Sequence, residues 1–157
     1  MFFIYLIIAY FCWAYIHEYC HLYALKQIRD VKSYKFRLYP HKHEELGFVF
    51  ASVSYDYNVD LDEKEWAYVS FAPRVADYMS VFVFLITYMF LGPLPQIFAV
   101  ILLGGCIDLL RGSYIRNETS DIVRYCEGWD WNKQKTQIFQ INLAMTPIVI
   151  YSYQLLV

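Results

Sequence analysis

The chain has 157 residues, of which 59% are hydrophobic, 20% aromatic and only 18% charged, with a formal net charge of −2. Typical soluble domains are ~45–50% apolar and ~25% charged, so this composition excludes a disordered chain and points to a bilayer as part of the solvent. With no basic excess, it also excludes a nucleic-acid partner.

Residues 2–25 carry one formal charge, Glu18, in an otherwise apolar stretch. As a helix, 24 residues reach ~36 Å, enough for a ~30 Å hydrocarbon core. No basic segment precedes the stretch and no small-residue cleavage site follows it, so it is expected to stay as a mature membrane helix rather than leave as a signal peptide. Residues 26–64 are charged, and within them 46–58 alternate with period two and are rich in β-branched and aromatic residues, which predicts a small β hairpin or strands. Apolar runs at 65–91, 95–111 and 138–157 predict three further spans. Pro73 suits either the first turn of a helix or a kink. The expected fold is a single membrane domain, all-α with a small β element between spans one and two, and about four transmembrane helices.

Basic residues fall mainly in 26–64 and 111–137, and the 92–95 turn has none. With four spans, both basic segments lie on one side, which the positive-inside rule makes the cytoplasm. The four cysteines, Cys12, Cys20, Cys106 and Cys126, form no CxxC pair and read as free thiols rather than a zinc ribbon or a disulfide framework.

His17-Glu18-Tyr19-Cys20-His21 is an HExxH motif. On a helix, residues i and i+4 share a face, so both imidazoles can reach one Zn2+ ion, and Glu18 can serve beside them as general base. Ionisable residues inside a membrane span are costly and point to function, although interhelical hydrogen bonding is an alternative use. Two imidazoles need a further protein ligand. Asp108 is the one acid in the third apolar run; its depth matches that of His21, and Gly104 and Gly105 one turn earlier permit close helix approach. Asp108 is therefore the expected third ligand. Asp121, in a polar stretch outside the span, ranks behind it.

The order of these motifs resembles the site-2 protease superfamily of intramembrane zinc metalloproteases. It is closer still to a small membrane family of zincin peptidases. In that family HExxH is followed by Ala-Pro in the next span, then a Gly-rich span ending in Asp, then a polar stretch with another Asp. Here these are His17 to His21, Ala72-Pro73, Gly104-Gly105-Cys106-Ile107-Asp108-Leu109 and Ser120-Asp121-Ile122. The resemblance implies a zinc-dependent intramembrane endopeptidase acting on a transmembrane protein substrate. The other reading is a non-catalytic zinc-binding pseudoprotease or scaffold, against which Glu18 counts, because a structural zinc site has no use for a base. Fold analogy adds that the 46–58 element could present an edge to an unwound substrate segment.

Of the remaining polar residues, Asn142 could donate to a developing oxyanion, although bonding between helices is its simpler use. Arg74 and Asp77 read as an interfacial ion pair. His41 and His43 read as solvated loop residues.

Overall fold

The computed structural model describes residues 2–43, 47–49, 51–57, 60–114 and 120–156. Leu46, Phe50 and Asn58 of the expected β element, Arg116 among the basic residues, Val157 at the expected end of the last span, and the side chain of His43 lie outside them.

The described residues form five helices and four short strands. They run α1 (Phe2–Ile28), β1 (Val31–Arg37), β2 (His41–His43), β3 (Gly47–Val49), β4 (Ser52–Tyr57), α2 (Glu63–Leu91), α3 (Gln96–Gly112), α4 (Asp121–Gly128) and α5 (Lys133–Gln154). Helix α2 packs against each of the other four helices. It starts on a capping box, in which the Asp62 side chain accepts from the Glu65 amide and the Glu65 side chain accepts from the Asp62 amide. Glu65 also pairs with Arg29, which ties the end of α1 to the start of α2. At the other end Gly92 takes φ +73°, where a Cβ would be strained, and its N–H bonds Tyr88 O before Pro93 prevents any continuation.

Three apolar clusters hold the elements together. Val81, Phe84, Leu103, Cys106, Leu109 and Ala144 join α2, α3 and α5. Ala67 with Ile122, Val123, Tyr125 and Cys126 seats α4 on α2. Ala24, Leu25, Leu61 and Val69 join α1 to α2, with Tyr55 and Tyr57 of β4 packed against them. Helix α3 approaches closely because it has glycines where it crosses its neighbours. A Cβ on Gly104 would lie 2.1 Å from the Trp13 ring, and one on Gly105 would lie 2.0 Å from Ser80 Oγ.

The strands form two nested antiparallel ladders. In the outer one β1 pairs β4, from Val31↔Tyr57 to Arg37↔Ser52; in the inner one β2 pairs β3, from His41↔Val49 to His43↔Gly47. The β element therefore begins at residue 31, well before 46. Most side chains of β1 (VKSYKFR) are solvent-exposed, so this strand has no buried face and no period-two hydrophobic pattern. Helix α4 also falls in a stretch expected to be only a polar connection. Its buried residues 122, 123, 125 and 126 nonetheless follow a helical stripe.

Two helices, α1 and α2, are long and apolar enough to cross a membrane. Both expose large apolar side chains, among them Phe3, Ile7 and Phe11 on α1 and Met79, Phe82 and Ile86 on α2. Among the described residues, these two of the four expected spans meet that length and apolarity. Helix α3 has 17 residues, a reach of ~26 Å, and α5 opens on Lys133, Gln134 and Lys135.

Candidate metal centre

His17 and His21 stand one turn apart on α1, their rings edge-to-face with centroids 4.9 Å apart. An acceptor lies against each Nδ1 and assigns it the hydrogen; Arg74 Nη2, which can only donate, also lies 3.2 Å from His17 Nδ1, beside the same Asp108 carboxylate. Asp108 Oδ2 lies 2.6 Å from His17 Nδ1, and a carboxylate can only accept, so Nδ1–H donates to it. His21 Nδ1 lies 2.9 Å from the Val69 carbonyl oxygen, likewise only an acceptor, so it too is the donor. With Nδ1 donating, the neutral ring offers its lone pair at Nε2. The two Nε2 atoms face each other at 3.2 Å.

Asp121, the first residue of α4, completes the group. Its Oδ2 is 3.6 Å from His17 Nε2 and 3.5 Å from His21 Nε2. Among the described residues, His17, His21 and Asp121 form a cluster with ligand atoms close enough for one ion. A tetrahedral ion with bonds of ~2.0–2.1 Å places its ligand atoms about 3.3–3.4 Å apart. The three observed separations bracket that edge, and two imidazole nitrogens with a carboxylate are donors that suit zinc.

The structure places Asp108, the expected third ligand, on the other side of His17 from this cluster. Asp108 meets His17 at Nδ1, on the side of the ring away from the cluster. Its other oxygen, Oδ1, is 2.7 Å from Arg111 Nη2. Asp108 thus holds the His17 ring through Nδ1 and leaves Nε2 facing the cluster, as carboxylates commonly do behind metal-bound histidines. Sequence distance hid Asp121. The packing of Ile122, Val123, Tyr125 and Cys126 turns α4 back onto α2 and carries the first residue of α4 to α1.

Arg74 and Asp77 are also corrected. They are 0% and 1% exposed, in the interior and not at an interface. Arg74 Nη1 makes an ion-pair contact with Asp77 Oδ2 at 2.7 Å and donates to the Asp108 carbonyl at 3.2 Å, while Nη2 lies 3.7 Å from Asp108 Oδ2. The guanidinium occupies space left by a glycine: a Cβ on Gly112 would lie 2.2 Å from Nη1. Two arginines and two aspartates thus balance charge behind His17, and Arg74 helps hold the carboxylate that holds the imidazole.

Glu18 is 8% exposed, next in sequence to His17. Tyr55 of β4 lies where the charges of both Asp121 and Glu18 reach it; burial first, and then these carboxylates, push its phenol up. Tyr55 had no sequence signal beyond its place in an alternating stretch; it packs with Ala24, Leu25 and Val69 and so joins β4 to α1 and α2. Asn142 is exposed and donates to Ile138 O on its own helix. Gln140 makes the interhelical bonds instead. Fully buried, its Nε2 donates to the Tyr78 and Tyr125 hydroxyls at 2.8 and 2.7 Å, and its Oε1 lies 3.0 Å from Ser113 Oγ. His41 is engaged within the β element: Nδ1 donates to Tyr39 O, and Nε2 is 3.0 Å from Ser52 Oγ. All four cysteines are free.

Compared with known proteins, the chain matches no family model, no curated protein and no solved structure.

Proposed function

We propose that this chain is a zinc-dependent membrane metalloendopeptidase, with His17, His21 and Asp121 as the protein ligands and Glu18 as the general base. The observation that carries this reading is the facing pair of Nε2 atoms with Asp121 Oδ2 across from both, at 3.2, 3.5 and 3.6 Å. Two neutral imidazoles whose Nδ1 hydrogens are already committed turn lone pairs toward each other, an arrangement that is repulsive until a cation lies between them. Structural zinc sites generally have four protein ligands, whereas catalytic sites have three and an open position. Among the described residues this cluster has three.

Bound there, zinc would polarise a scissile carbonyl and acidify a water. Glu18 would take a proton from the attacking water as the new C–O bond forms, and then pass it to the amine nitrogen as the C–N bond breaks. Glu18 is suited to this because it is buried, adjoins His17 in the chain and is not one of the three residues of the cluster. Asp108, Arg74 and Arg111 stay behind His17 and keep its Nε2 turned toward the reacting atoms. The exposed apolar faces of α1 and α2 fit a site at the edge of, or within, a bilayer, with a membrane protein as substrate. In this reading α3 and α5 complete a four-span arrangement with both basic segments cytoplasmic. An unwound substrate segment adds as a strand to the β1–β4 ladder, where each strand is paired on one side among the described residues.

The test is Glu18→Gln, which keeps every ligand and removes the base. Purified Glu18→Gln protein should bind zinc as the wild type does, yet fail to cleave a membrane substrate that the wild type cleaves. Cleavage at the wild-type rate by this variant would refute the mechanism. Stoichiometric tight zinc in a wild type that cleaves no membrane substrate would favour the non-catalytic scaffold.

A further inference from the structure

We infer that Pro73 is a positioning residue of the metal centre: by withholding a backbone N–H in the middle of α2 it leaves the Val69 carbonyl to His21. This rests on the reading of His17, His21 and Asp121 as metal ligands.

Pro73 lies in the interior of α2, far from its first turn, and is buried. A proline there is normally destabilising by ~3 kcal/mol relative to alanine, because it lacks the N–H that would bond the carbonyl four residues back and its ring crowds that carbonyl. Four residues before Pro73 is Val69. The Val69 oxygen is the atom that accepts from His21 Nδ1 at 2.9 Å. The one carbonyl in α2 that Pro73 deprives of its usual donor is therefore the one that orients a metal-ligating imidazole. The ring of Pro73 tilts such a carbonyl away from the helix axis, and here α1 packs on that side. Val69 is itself 1% exposed and packs with Ala24 and Leu25 of α1, so water has little access to the freed oxygen. His21 satisfies it, and in return its tautomer is set with Nε2 toward His17 and Asp121. The next residue, Arg74, holds Asp108 against His17. One turn of α2 thus orients both imidazoles, one through a carbonyl and the other through a carboxylate.

A second interior proline supplies the control. Pro147 of α5 is also buried, and the carbonyl four residues before it belongs to Leu143, on a different helix from either histidine or its Nδ1 partner.

The experiment is a Zn2+ titration of the full chain in detergent or nanodiscs, with Co2+ absorption as a report on ligand geometry and thermal unfolding of the metal-free protein alongside. Pro73→Ala restores the N–H, which competes for the Val69 oxygen. Zinc affinity should fall ~10–100-fold, as for loss of a partner behind a ligand. The Co2+ bands should change, while the metal-free protein unfolds at the same or a higher temperature. Pro147→Ala should leave zinc affinity and the Co2+ spectrum unchanged. Lactate at position 73, introduced as an α-hydroxy acid, has the side chain of alanine but no N–H, and should restore affinity to near that of the wild type. Affinity and spectrum unchanged in Pro73→Ala would overturn the inference, as would loss of affinity that lactate does not restore. A wild type that binds no zinc would instead overturn the metal reading on which the inference rests.

Discussion

Exchanging the roles of the two aspartates has consequences that separate them in two measurements. In the proposed site Asp121 supplies a ligand oxygen, 3.5–3.6 Å from both Nε2 atoms, from a side chain that is 25% exposed at the start of α4. Truncation by Asp121→Ala removes one of three protein donors. The loss should exceed the 10–100-fold typical of partners behind a ligand, that is, more than ~2.7 kcal/mol of zinc binding. The metal-free fold should hardly change, because the partly exposed carboxylate has little packing to lose. Asp108→Asn acts differently. It keeps an acceptor near His17 Nδ1 but removes the charge facing Arg74 and Arg111, at 3.7 and 2.7 Å. Zinc affinity should fall ~10-fold, or ~1.4 kcal/mol. The metal-free protein should lose ~3 kcal/mol, because the wholly buried Arg74 loses one of the two carboxylates it pairs with among the described residues and keeps only Asp77. Competitive zinc titration against a chelator gives the first quantity and denaturant unfolding of the metal-free protein the second. If Asp121→Ala binds zinc like the wild type while Asp108→Asn loses it, Asp121 is not a ligand and Asp108 returns as the third.

Three other outcomes follow from particular contacts. A Cβ on Gly128 would lie 2.5 Å from Glu63 O and 2.6 Å from Ala67 Cβ, so Gly128→Ala should push α4 off α2 and lower zinc affinity through Asp121, although residue 128 lies at the far end of its helix. The same titration reads this, and wild-type affinity would show that α4 does not set the position of Asp121. Gln140→Leu keeps the bulk but strips the donors from Tyr78 and Tyr125, and should reduce stability by about 1–3 kcal/mol in thermal or denaturant unfolding, with zinc affinity unchanged. Cysteine labelling of intact cells at positions 42 and 133 should find both protected and a site in the 92–95 turn exposed; opposite labelling of 42 and 133 would break the four-span arrangement.

Much of the architecture was legible because it depends on local pattern. The apolar run of α1, the Gly92-Pro93 stop after α2 and the spacing of His17 and His21 are set within a few turns of chain, and helix geometry alone puts the two imidazoles on one face. The closeness of α3 to its neighbours could be read from Gly104 and Gly105, since a missing side chain signals approach whatever the partner. Strand β1 and helix α4 were less visible. The first buries no face, and the second is only eight residues long, in a polar stretch.

What only the tertiary structure decided is which acid meets the histidines and through which nitrogen. Asp108 and Asp121 are chemically identical, and depth along a span favoured the first. The choice is made by four apolar residues after Asp121 that seat α4 on α2, and by Arg74 and Arg111, which engage Asp108 on the other side of His17. The use of Pro73 was hidden for the same reason. A proline four residues after Val69 marks a carbonyl without its helical donor, but only the packing of α1 on α2 shows that His21 takes it. Sequence determines which groups exist and which neighbours share a helix face; contacts between elements far apart in the chain depend on how the whole apolar surface is buried, and no local pattern records that.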